Sequence, residues 1–298
     1  MVLGSDPGGG WDMDGDDIRD AQRAVWAGLS AGWDKWDALI SDQLRPVGSA
    51  IIERLAIADD QHHLDVATGT GEPGLSIAKL ARRGRVVLAD LVPQMLDVAA
   101  RRARTQGLTN VETAVCSADE LPFDDNTFDS VSMRFGYMFL PDLAAATAEF
   151  VRVLRPGGRL CSSVWVKPEA NPWTSIALQA IATEVTPAPP DPDRPGMYRC
   201  AAPGLVSALY ERAGLREIAE WDVGIELVTR SAEEYWAVIS EHVSLAVAAL
   251  KQVDVAARER IRAQAIAEVS AFEEDGAIRV PGLARCIVGT KPEARSNR

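Results

Sequence analysis

Between residues 59 and 166, short apolar runs alternate with stretches whose apolar positions recur every three or four residues. His63–Ala67, Val86–Asp90, Val111–Cys116, Phe128–Arg134 and Leu160–Val166 read as strands, and 74–83, 93–106 and 143–154 read as helices. Strands that alternate with helices predict an α/β fold, a doubly wound and mostly parallel sheet covered on both faces. In such sheets a ligand lies beyond the carboxyl ends of the strands, near the switch point.

The flanks read differently. Residues 18–58 carry a helical pattern, expected to break near Pro46, with Trp26, Trp33 and Trp36 beside Gly28 and Gly32. It reads as aromatic core packing or as a helical flap over a ligand. Residues 167–230 begin with an irregular excursion, rich in proline at 188–195, and continue into a helix at 202–213 and a strand at 215–228. Two long helices follow near 231–250 and 254–274, then a last strand at 278–289. Because the helical pair separates two strands, 231–276 reads as a cap inserted at the sheet edge, and 277–298 as the last strand and a tail. Residues 1–17, rich in Gly and Asp, read as a disordered tail. Its acids lack the closing Glu of a calcium loop, so no metal is expected.

Composition narrows the partners. The 298 residues carry a net charge of −12, which argues against nucleic acid or an anionic membrane. The basic runs Arg82-Arg83 and Arg101-Arg102-Arg104 sit at helix ends and read as solvated caps. Cys116, Cys161, Cys200 and Cys286 are scattered without a CxxC pattern, as buried thiols in a reducing compartment would be. No apolar run reaches a membrane span and no signal pattern opens the chain. The expectation is a cytoplasmic protein, monomer or homodimer.

The candidate chemistry concentrates in Leu64–Gly74, LDVATGTGEPG. Glycines allow positive φ and close backbone approach, and the helix beginning after Pro73 presents free N–H groups. Gly69 to Gly74 fits G-x-G-x-x-G, with Asp90 at the distance of a ribose-binding acid, which suggests NAD. Asp65 argues otherwise: a carboxylate repels a pyrophosphate and suits a cation, such as the ammonium and sulfonium of S-adenosylmethionine.

With LDVATGTGE, VVLADLVPQMLDVAARRA, SADELPFDDNTFDSVSMRFGYMFLPD and LRPGGRL in this order, the chain resembles the class I S-adenosylmethionine-dependent methyltransferases. Within them it looks most like the small-molecule branch that includes the ubiquinone and menaquinone methyltransferases. The resemblance implies a seven-stranded sheet and S-adenosyl-L-methionine as cofactor. It places Asp65, Ala67, Gly69 and Gly71 at the methionine end, Asp90 on the ribose, Leu91 and Met95 over the adenine, Ser117 and Ala118 beside it, and Arg134 at the methionine through its backbone. Ala67 stands where the family motif has its first glycine, and Ser117 where it has an acid, with Asp119 two residues later.

Methyl transfer needs alignment and water exclusion, and a base where the acceptor is a phenol, hydroxyl or acidic carbon. His62 and His63 fall at the far end of the first strand. His242, in the cap, reads as a packed residue or a general base; Tyr137 and Tyr198 are further polar candidates. Phe135 to Phe139, Trp165, Trp173, Tyr235 and Trp236 suggest an apolar pocket for a hydrophobic phenol, quinone or polyketide-like acceptor, methylated at O or C in natural-product or quinone biosynthesis. The competing readings are an NAD-dependent oxidoreductase and a cyclase-like enzyme that uses S-adenosylmethionine only structurally.

Overall fold

The computed structural model describes residues 15–186, 191 and 194–293. The expected tail lies outside the described residues as far as position 14, as does most of the proline-rich run at 188–195. Residue 15 already belongs to a helix, α1 (Gly15–Lys35), followed by α2 (Asp37–Leu55).

The alternating part then runs β1 (His62–Val66), α3 (Gly74–Ala78), β2 (Arg85–Asp90), α4 (Pro93–Thr105), β3 (Val111–Val115), β4 (Phe128–Arg134), α5 (Leu143–Val153) and β5 (Leu154–Trp165). After it come α6 (Pro172–Ala182), α7 (Leu205–Arg212), β6 (Arg216–Thr229), α8 (Ala232–His242), α9 (Ser244–Leu250), α10 (Val255–Val269), β7 (Glu273–Glu274) and β8 (Ala277–Thr290). The sheet order is β3-β2-β1-β4-β5-β8-β6, parallel through β5, with β8 antiparallel between β5 and β6. Seven strands form this path, as expected, and the two-residue β7 adds a short pairing to β8. The central strands are buried on both faces: β1 is covered from His63 onward and β2 from Val86.

Three boundaries differ from expectation, each for a tertiary reason. Pro46 does not break the helix; α2 runs through it. Pro46 and Asp42 are both exposed, so water can satisfy the carbonyl that loses its amide partner. The break falls at Trp36, whose indole donates to Glu241 Oε2 at 2.9 Å. The excursion after residue 167 contains a full helix, α6, opened by Pro172 and apolar enough to bury Trp173, Ile176, Ala177, Ala180 and Ile181. The first cap helix is interrupted at Val243, which is extended (φ −82°, ψ 114°) between α8 and α9.

The chain reverses direction of sheet growth between β1 and β4, and a cleft opens at their carboxyl ends. α1 and α8 close over it. Gly32 lies so near α8 that a Cβ there would stand 2.3 Å from the Glu241 carbonyl oxygen. Lys35 Nζ reaches Glu241 at 2.6 Å, and Arg101 of α4 holds Asp34 of α1 at 2.7 Å. No helix among the described residues is long and apolar enough to cross a membrane.

Candidate active site

The strand-end loop is held from beneath. Asp65, the fourth residue of β1, is completely buried and does not line the cleft. Its Oδ2 accepts from Thr68 Oγ1 at 2.6 Å and from the Gly74 amide at 3.1 Å, and its Oδ1 from Ser132 Oγ at 2.5 Å. Ser132 in turn meets His63 Nε2 at 2.9 Å, and His63 Nδ1 meets Ser130 Oγ at 2.8 Å. A carboxylate and an imidazole thus link β1, β4 and the loop in one buried network. Burial raises the Asp65 carboxyl to about 6, against the opposing donors, and lowers His63 to about 3. The expectation that Asp65 faces a ligand's cationic end does not describe this geometry; its oxygens are turned inward.

Gly71 is likewise internal. At φ +110° it needs glycine, and a Cβ there would come within 2.6 Å of Leu75. Its work is close packing of loop against helix, and it does not line the cleft. Ala67 and Gly69 do line it, both with positive φ, 50° and 57°. Where the family motif has glycine, Ala67 therefore holds a conformation glycine would take without strain.

Asp90 ends β2 and faces the cleft while only 9% exposed. One carboxylate oxygen accepts from the Gly69 amide at 2.8 Å and the other from the Val92 amide at 2.9 Å. The Leu91 amide also faces this carboxylate. Burial raises the Asp90 carboxyl, with those amides opposing. Leu91, Met95, Ser117 and Ala118 line the same end. The Ser117 hydroxyl is taken by Asp119, which also receives Arg19 Nε of α1 at 3.3 Å. The acid displaced by two positions is thus engaged with the cover.

The opposite end is aromatic. Phe135 stacks on Trp165 at 4.0 Å, Trp165 meets Trp173 at 5.1 Å, and Trp26 meets Phe139 edge-on at 4.9 Å. Trp33 lies 4.2 Å from His242, both lining the cleft. Of the other residues expected there, Tyr137 is wholly buried elsewhere: its hydroxyl meets Thr147 Oγ1 at 3.2 Å in the core, and burial raises its pKa. Met138, Tyr198, Tyr235 and Trp236 do not line the cleft either. Tyr137 is therefore turned into the core, whereas His242 lines the cleft. Burial lowers His242 to about 3, so the ring is neutral, and its Nδ1 has no partner.

Some site residues gave no signal in the sequence. Gln43 of α2 is 3% exposed, lines the cleft, and leaves both amide atoms unpaired. Arg102 was read as a solvated cap; instead its guanidinium donates to the Thr70 carbonyl at 2.7 Å and pairs with Asp37 at 3.0 Å, tying the glycine loop to α2. Arg82 and Arg83 are solvent-facing, both on Asp59.

A parallel sheet in this order, with a glycine turn after its first strand and a buried acid ending its second, is the class I methyltransferase fold. The chain belongs to the ubiE/COQ5 methyltransferase family, whose model matches residues 17–189. It is 32% identical over 167 residues to the ubiquinone/menaquinone biosynthesis C-methyltransferase UbiE of Proteus mirabilis, covering 55% of this chain and 66% of that protein. It is 36% identical over 143 residues to an uncharacterized protein of Mycobacterium bovis, covering 48% of this chain and 49% of that one. The chain thus spans about half to two thirds of the length of these relatives. In structure it is similar to Haemonchus contortus phosphoethanolamine N-methyltransferase 2 in complex with S-adenosyl-L-methionine (TM-score 0.57, 16% identity, 93% of this chain and 60% of that one). It is also similar to the [4+2]-cyclase SpnF (TM-score 0.55, 19% identity, 90% and 96%). Family membership displaces the NAD-dependent oxidoreductase reading, which rested on glycine spacing alone.

Proposed function

We propose that the protein transfers a methyl group from S-adenosyl-L-methionine to a hydrophobic aromatic small molecule, at oxygen or carbon. One observation carries this reading: a single cleft joins a polar end, built on Asp90 and the turn at Ala67–Gly69, to an aromatic end lined by Phe135, Phe139, Trp165 and Trp173. The Asp90 carboxylate on the cleft wall suits vicinal ribose hydroxyls, and Leu91 and Met95 offer an apolar face to a purine whose edge Ser117 and Ala118 would meet. The bound donor supplies a methyl group on a sulfonium, open to in-line displacement by the acceptor.

The chain's own contribution is to align and to exclude water. α1 and α8 cover the cleft with Trp26, Trp33 and His242. The neutral imidazole of His242 accepts a hydrogen bond from an acceptor hydroxyl and orients it. Burial makes it a weak base, so His242 acts more by orientation than by full proton removal.

The test is incubation with methyl-tritiated donor and a panel of phenols, quinones and polyketide-like rings. Label in an extractable small molecule, with stoichiometric S-adenosylhomocysteine, is expected; label confined to protein or RNA would overturn the acceptor class. The likeness to a cyclase favours one second reading, an enzyme that holds the donor without spending it. Conversion of a ring substrate without S-adenosylhomocysteine release would select it.

A further inference from the structure

Asp65 is occupied on both oxygens by Thr68, Gly74 and Ser132, so it has no face to offer a ligand. The amino-acid end of the methyl donor, a carboxylate and an ammonium on one carbon, must then meet other groups. Three side chains in the cleft wall have the chemistry and lack full partners.

Arg134, the last residue of β4, lines the cleft, and its guanidinium makes no hydrogen bond or ion pair among the described residues. Burial depresses its guanidinium, and the acids that oppose this most are Glu72 and Asp65, without contact. A cation so placed is costly unless an anion joins it. Glu72, from the glycine loop, also lines the cleft; its Oε2 accepts from Ser76, and its Oε1 stands 3.7 Å from Arg102. Gln43 is 3% exposed with both amide atoms orphaned, a state that costs about 1–3 kcal/mol when nothing fills it.

The three share one corner. Asp37 of α2 pairs with Arg102, which holds the Thr70 carbonyl, and a Cβ at Gly48 of α2 would stand 3.9 Å from the Pro73 side chain. α2 therefore runs alongside the loop that carries Glu72, and Gln43 lies between those two contacts. Resting on the donor assignment above, we propose that Arg134, Glu72 and Gln43 grip the amino-acid end of S-adenosylmethionine. Arg134 pairs with the carboxylate, Glu72 takes the ammonium, and Gln43 hydrogen-bonds between them. They are positioning residues: they fix the sulfonium, and hence the methyl, relative to the aromatic end.

The experiment is calorimetric titration of the full chain with S-adenosylhomocysteine and with 5′-methylthioadenosine, which shares the nucleoside and thioether but lacks the amino-acid end. Arg134→Met is expected to weaken S-adenosylhomocysteine by about 10- to 100-fold, the range for a charged hydrogen-bonded contact. It should leave 5′-methylthioadenosine within about 2-fold, and Arg134→Lys should recover part of the loss. Gln43→Met removes an orphaned amide, so it should melt no lower than the wild type while weakening S-adenosylhomocysteine alone. Equal loss of both ligands in Arg134→Met, or no loss of either, would overturn the grip. A wild-type chain that binds neither ligand would overturn the donor assignment itself, and the grip with it.

Discussion

The floor and the cover of the cleft handle their polar groups differently. On the floor, Asp65, His63, Ser130 and Ser132 satisfy one another inside the sheet, and Asp90 is fixed by two backbone amides. On the side formed by α1, α2 and α8, Trp33 Nε1, both amide atoms of Gln43 and His242 Nδ1 are buried without a partner. Arg134 is the floor's exception. Buried polar groups left unpaired are costly, and native proteins keep few of them. The floor is finished by folding alone, and the cover side is finished by what binds. Mutations in the floor should therefore act on stability or donor affinity, and mutations in the cover on closure.

The largest effect is expected at Asp65. Asp65→Ala strips an acceptor from Thr68, Gly74 and Ser132 at once and should cost about 4 kcal/mol of stability. Urea unfolding measures it; a loss below about 1 kcal/mol would show that the network does not hold the loop. The same group sets a pH dependence. Its folded pKa, about 6, lies above the ordinary 3.8, so the folded state binds this proton more tightly. Its stabilising contribution is present in full below the ordinary value and is lost as pH rises through about 6, with a ceiling of about 3 kcal/mol. Asp65→Asn should lack that slope across the same interval.

Asp90 separates folding from binding. Both of its oxygens are proposed to take a ribose hydroxyl, so Asp90→Ala should weaken S-adenosylhomocysteine at least about 100-fold, close to 3 kcal/mol. Calorimetry decides it, and a change under about 3-fold would remove the ribose from this acid. Stability should fall less than for Asp65→Ala, because the amides of Gly69 and Val92 border the cleft, where water can replace the carboxylate.

This division also explains what was legible in the sequence. The floor follows from short local patterns: a strand, a glycine turn, an acid at the next strand end. These place Ala67, Gly69, Asp90, Leu91, Met95, Ser117, Ala118 and Arg134 on the cleft. The direction in which Asp65 points was not legible, because it depends on Ser132, which is 67 positions away in the chain. The cover is less legible still. Trp33 against His242, and Trp36 and Lys35 on Glu241, join segments about 205 residues apart. Periodicity could show a helix with three tryptophans, but it could not choose between core and flap. Tyr137 shows the converse hazard, an aromatic beside cleft residues in sequence whose side chain turns into the core. Gln43 carries no pattern at all; it stands out only because nothing in the folded chain meets it.

The smallest expected effect is also the sharpest probe of the cover. Gly32 is inside α1, where alanine is the better helix former by about 1 kcal/mol. The added methyl would meet the Glu241 backbone oxygen at 2.3 Å, and a carbonyl in a packed helix cannot swing aside like a side-chain tip. Overpacking of this kind costs about 1–3 kcal/mol, but only while α1 stays seated. Gly32→Ala should accordingly keep its global stability within about 1 kcal/mol, because the chain can trade the clash for a lifted α1 that gains from the better helix former. Hydrogen exchange over α1 and the facing turn of α8 should quicken while β1, β2 and β4 stay as protected as in the wild type. If α1 and the sheet exchange faster together, floor and cover form one cooperative unit and the contrast between them fails. If neither changes, α1 does not seat on Glu241 in solution.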